Sequence, residues 1–183
     1  VFWNKEDPAF WGSSRYDFVD TAMRFDCIFT TAEDCIEKYK DLGHQRIYLL
    51  PFGVNTRLFY PRPEEKKHNT VIFAGSWFDD FPQRCNAMTV LFDYILEQGL
   101  QLEIYDRKSE IGGKKFSFPS RYQPYLHECV PYQELPSLLD RYEYALNVNT
   151  VTDSGTMCSR RVLQLAACGM KIISNPSQAM EHI

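Results

Sequence analysis

Apolar and polar positions alternate in two rhythms along the chain, and the rhythm changes repeatedly. "VFW" at the start reads as the end of a strand, with "NKEDP" as the loop behind it. "DCIFTT" (26–31) has a strand pattern, and "AEDCIEKYKDL" (32–42) has helical spacing that Gly43 closes. "RIYLLPF" (46–52) is a further strand, and 53–69 has the Gly, Pro and charge content of a linker. The alternation then restarts. "TVIFAG" (70–75) predicts a strand, Arg84 to Glu97 a helix ending near Gly99, and "LQLEIYD" (100–106) a strand of period two. Residues 107–128 predict a long irregular surface loop. After them come "VPY", a short helix over 133–142 and the strand "YALNVNT" (144–150). "DSGTMCSRRVLQLAACGMKIISN" (153–175) supplies the last helix and strand.

Strand–helix alternation of this kind implies right-handed βαβ units around parallel sheets covered on both faces. The fold class is therefore α/β. The linker predicts a short first piece, 1–61, and a second α/β domain, 62–183. Val1 reads as starting inside a strand and Ile183 as ending inside a helix, the pattern of a piece of a longer protein.

Composition narrows the function. A formal charge of −4 and a pI near 5.6 over 183 residues argue against a nucleic-acid partner. No apolar run approaches the roughly 18 residues of a membrane span. None of the six cysteines (27, 35, 85, 129, 158 and 168) forms a C-x-x-C pair, and the four histidines lack metal-ligand spacing. A reduced, cytoplasmic setting and no bound metal are the expectations.

Ligands of open α/β sheets bind beyond the carboxyl ends of the strands, so the loops there hold the candidates. In the last helix, a start near Thr156 puts Thr156, Arg160 and Gln164 on one face at i, i+4, i+8, with Arg161 about 100° away. Val162, Ala166 and Gly169 fall on a side suited to packing against the sheet. Unpaired N–H groups, the dipole and two guanidinium groups at such a helix start suit a diphosphate. Pairing of both arginines with carboxylates of the same chain explains them equally well. In "FAGSWFDDFPQR", Gly75 and Ser76 end a strand and Arg84 stands near the next helix start, so two loops at one sheet edge each bring an arginine. Val130 and Tyr132 in "VPYQEL" could border a planar base, or simply pack on the surface. Asn149 is close to the carboxyl end of its strand. Glu6 and Asp7 in "NKEDP" could assist proton transfer, although Asp7 as an N-cap before Pro8 is a sufficient structural reason.

Taken in order, "NKEDP", "LLPFGVN", "FAGSWF", "LEIYDR", "VPY", "LNVNTV" and "TMCSRRVLQLAACG" resemble the CgeB-like (spore maturation protein-like) group of GT-B glycosyltransferases. The similarity spans nearly the whole chain. It implies two Rossmann-like domains with parallel sheets, the first only partly present. A nucleotide diphosphate sugar of UDP type would bind mainly to 62–183, with no resident cofactor or metal. It implies that Gly75, Ser76, Arg84 and the Thr156 helix start surround the phosphates, and that Val130 to Tyr132 border the base. The resemblance also implies an acceptor, a saccharide, protein or cell-surface group, held by the N-terminal domain. Many retaining members carry Glu-x7-Glu where this chain has Thr156 and Gln164. An amide at 164 can still hydrogen-bond ribose hydroxyls, without charge. Two other readings stand beside this one: a non-catalytic GT-B-like scaffold, and a polyol- or sugar-phosphate transferase for a cell-surface polymer.

Overall fold

The computed structural model describes residues 1–5, 18–63, 65–108 and 116–182. They form two compact units. The first comprises Val1–Gly53, Asn149–Arg160 and Pro176–Ile183; the second comprises Val54–Val148 and Arg161–Asn175. The expected division at 61/62 is contiguous, whereas these units are not: 54–61 joins the second, and 149–160 and 176–183 join the first.

In the first unit, β1 (Phe2–Asn4), β2 (Ile28–Thr30) and β3 (Ile47–Leu49) lie side by side in that order, all parallel. Two helices accompany them, α1 (Phe18–Ala22) and α2 (Asp34–Asp41). Cys35 and Tyr39 of α2, one turn apart, pack with Ala22, Ile28 and Ile47. Gly43 ends α2 at φ 98°, a left-handed conformation that costs glycine little. It lets the N–H of His44 reach the carbonyl of Tyr39.

The second unit is a five-stranded parallel sheet in the order β6-β5-β4-β7-β8. Its strands are β4 (Lys67–Gly75), β5 (Gln101–Asp106), β6 (Leu126–His127), β7 (Tyr142–Asn147) and β8 (Lys171–Ser174). On one face, α3 (Pro82–Glu97) sets Cys85, Met88, Phe92 and Ile95 against Val71, Phe73, Ile104 and Leu146. Pro82 pre-sets the first turn of that helix. On the other face, α4 (Leu135–Leu139) and α5 (Arg160–Ala167) pack Leu138, Leu139, Leu165 and Cys168 onto Ile72 and Ala145. Strand order runs outward from β4 to β6 and then reverses to β7 and β8. The switch point lies at β4 and β7, where their carboxyl ends open the crevice that α/β folds use for ligands.

Several details depart from the sequence expectation; among them, the short helix is Leu135–Leu139 and the strand after it Tyr142–Asn147, both starting or ending earlier than the apolar spacing suggests. Helix α5 begins at Arg160, not near Thr156. Its buried apolar side chains are Val162 and Leu165, with Cys168 buried just past its end, while Ala166 is exposed. The 107–128 stretch is not simply a surface loop. Its part from Phe116 onward includes a 3-10 turn, Ser120–Tyr125, and the edge strand β6, and it buries Phe118 and Tyr122 in the core. Pro119 and Pro124 break any helical period there, so the packing is set by tertiary contacts. Helix α1 also went unpredicted, being a single turn with a mixed pattern. Among the described residues no helix is long and apolar enough to cross a membrane.

Candidate functional site

At the carboxyl edge of the second unit's sheet, three arginines meet. Strand β4 ends at Gly75, whose carbonyl accepts the N–H of Arg107, the residue following β5. Arg84, in the first turn of α3, donates through Nη1 to the Ser76 carbonyl at 3.0 Å. Arg161, in the first turn of α5, lies over the Phe73 ring with its guanidinium carbon 5.1 Å from the centroid. Burial, then the positive charges of Arg84 and Arg107, push the Arg161 guanidinium down to about 9. Arg84 is lowered as well, first by burial, with Arg107 also contributing. Cations brought together in protein rather than water raise one another's free energy, and a multiply charged anion relieves this.

The hydroxyl of Ser76 is part of the same edge. Its Oγ is buried and, among the described residues, has no hydrogen-bond partner, and the same holds for Oδ1 of Asn147 at the end of β7. Buried polar atoms are ordinarily paired, so each is a place where a ligand or water atom would be accommodated. Asn147 is held from its other side, Nδ2 donating to Ser174 Oγ at 3.0 Å.

Gln164 is one turn beyond Arg161 on α5 and is buried. Its Nε2 donates to the Tyr132 hydroxyl at 3.1 Å. Tyr132 is half exposed and sets its ring edge-on to buried Phe59, with centroids 5.6 Å apart. Val130 is partly buried against the α4–α5 core. Gly75, Ser76, Arg84 and Arg161 are thus neighbours on one sheet edge. Gln164 and Tyr132 form a separate bonded pair.

Thr156, Asn149 and Arg160 lie in the first unit. Thr156 precedes α5 instead of starting it, and its hydroxyl is engaged there: Oγ1 accepts the Glu33 N–H at 2.9 Å and donates to the Thr31 carbonyl at 3.2 Å. Asn149 is buried, with Oδ1 accepting the Ser159 N–H at 2.8 Å and Nδ2 donating to Ser177 Oγ. Arg160 is exposed at the head of α5. Glu6 and Asp7 lie outside the described residues. Among those described, no group of three or more His, Cys, Asp or Glu could hold a metal ion. The sequence reading missed Arg107, although "YDR" at the end of a period-two strand puts a cation in the loop class already singled out.

Comparison with solved structures settles the architecture. The chain aligns with a sucrose-phosphate synthase from Thermosynechococcus elongatus over 90% of its own length, at 13% identity and a TM-score of 0.57. Its fold is that of a GT-B glycosyltransferase. The alignment covers 44% of that synthase, so the chain spans less than half of its GT-B neighbour. The family described as glycosyl transferase-like matches residues 95–183. That stretch of the GT-B fold holds Arg107, Gln164 and Arg161, while Gly75 and Arg84 precede it. Comparison with curated proteins finds no match.

Proposed function

We propose that this chain is the donor-binding part of a glycosyltransferase, one that moves a sugar from a nucleotide diphosphate sugar of UDP type to a saccharide, protein or cell-surface acceptor. The observation that carries this reading is the meeting of Arg84, Arg107 and Arg161 at the switch point of a parallel sheet. Transfer breaks the bond between the sugar's anomeric carbon and the diphosphate oxygen as an acceptor oxygen bonds that carbon and gives up its proton, and negative charge grows on the departing nucleoside diphosphate. Guanidinium groups fixed beforehand at that position stabilise the leaving diphosphate, which gains negative charge, more than the less charged ground-state donor. Ser76 belongs to the same anion cradle, and Gly75 ends the strand that leads to it. Tyr132, Val130 and Gln164 serve the nucleoside end, and Glu6 or Asp7 remains the proposal for proton transfer.

Calorimetry with UDP, GDP and ADP on the purified chain tests this directly. We expect UDP to bind, and Arg161→Met to weaken it by about ten- to a hundredfold, the range of a charge-assisted hydrogen bond. A folded chain that binds none of the three would sink the proposal and favour the non-catalytic scaffold. Product analysis by mass spectrometry on the full-length parent would separate glycosyl from sugar-phosphate transfer.

A further inference from the structure

A glycine at the end of a strand beside arginines suggests a gap left for the ligand. The structure points elsewhere. A Cβ added to Gly75 would stand 2.8 Å from Nη2 of Arg161, and 2.6 Å from Cζ of Phe73. The space that glycine leaves is therefore bordered by a guanidinium group and a phenyl ring of the protein itself. Phe73 and Gly75 are two residues apart on β4, so they share one face of the pleat. Phe73 is fully buried, and its ring is fixed edge-on to Phe92 at 5.3 Å and to Phe118 at 6.5 Å. Arg161 lies over that ring at 5.1 Å.

We propose that Phe73 and Gly75 form a slot that positions the Arg161 guanidinium for an anionic ligand, Phe73 supplying the floor and Gly75 the clearance. Arginine suits such a slot because its planar cation lies against an aromatic face while its N–H donors point outward in the plane. Phe73 acts through Arg161 without touching the ligand, so it is a positioning residue. Gly75 is required for a protein side chain and not for close approach of a phosphate. This inference rests on the diphosphate reading above.

The test is a double-mutant cycle on the whole chain with UDP as the probe, each variant first checked for native circular dichroism. Phe73→Leu should weaken UDP by about two- to thirtyfold, the range expected for removing a cation–π partner. In an Arg161→Met background the same substitution should change UDP affinity by less than twofold, because the group it positions is gone. Gly75→Ala, which attacks the slot from its other wall, should behave the same way and serves if Phe73→Leu does not fold. Equal losses in both backgrounds would overturn the proposal, since Gly75 or Phe73 would then act on the ligand without Arg161. So would an unchanged affinity in Phe73→Leu and Gly75→Ala. Failure of the wild-type chain to bind UDP is a different result: it removes the diphosphate reading on which the slot's purpose depends.

Discussion

Arg161 is a cation held where burial and two neighbouring guanidinium groups oppose its charge. The sign of the consequence follows from that. Its folded-state value, about 9, lies well below the ordinary guanidinium range, so up to about pH 9 the folded chain bears the cost of keeping the proton. As pH rises through about 9 the proton leaves, the cost disappears, and the unliganded fold gains stability while the anion loses a partner. UDP affinity should therefore hold steady between pH 7.5 and 8.5 and fall above about 9. Measuring the ratio of wild-type to Arg161→Met affinity across pH 7.5–10.5 cancels the ligand's own titration, and a ratio constant over that range would contradict this account. Adjacent arginines at the head of an apolar helix announced this residue in the sequence. What "SRRV" could not reveal was the division of labour, with Arg160 exposed and Arg161 set on Phe73. That depends on which side of α5 meets the sheet, and Thr156 was placed on the helix only because the start was read four residues early.

Elements with a strong period were legible: β4, β5, α3 and α2 have their cores where the apolar spacing puts them. Elements without one were not, as β6 and the turn before it show. The connection from β7 to α5 is the instructive case. Its fixed geometry comes from side chains that reach back to backbone groups: Asn149 to Ser159, Ser154 Oγ to the Met157 N–H at 3.3 Å, and Thr156 to Thr31 and Glu33. No periodic pattern encodes such bonds. Asn149 was singled out as a ligand contact; in the fold its carboxamide oxygen accepts the N–H of Ser159, the residue preceding α5. Asn149→Ala should strand that N–H and lower stability by about 1–3 kcal/mol in urea unfolding. Asn149→Asp, which keeps an acceptor oxygen in place, should recover part of the loss. If Ala and Asp cost the same, the bond to Ser159 is not what fixes the loop.

At the scale of the whole chain, sequence continuity and structural units part company. The backbone passes from one unit to the other after Gly53, Val148, Arg160 and Asn175, so neither unit is a single stretch. A linker signal based on Pro, Gly and charge detects only the first of these passages. The other three occur inside what reads as one domain, because a hydrophobic pattern specifies which side of an element is buried and not which core receives it. Met157 illustrates this: it packs against the cluster of Ala22, Ile28 and Tyr39, residues more than a hundred positions away. A fragment cut at the linker to give residues 54–183 would keep the five-stranded sheet, and with it Arg84, Arg107 and Arg161. It would leave Thr156 without Thr31 and Glu33, and Met157 without its apolar neighbours. Local opening costs least where few buried contacts remain. Limited proteolysis should therefore cleave 149–160 in the fragment at least tenfold faster than in the 183-residue chain, at equal protease and with the sheet still intact by circular dichroism. Equal protection in the two proteins would mean that 149–160 is held by the second unit alone, and that a contiguous donor domain is the better description after all.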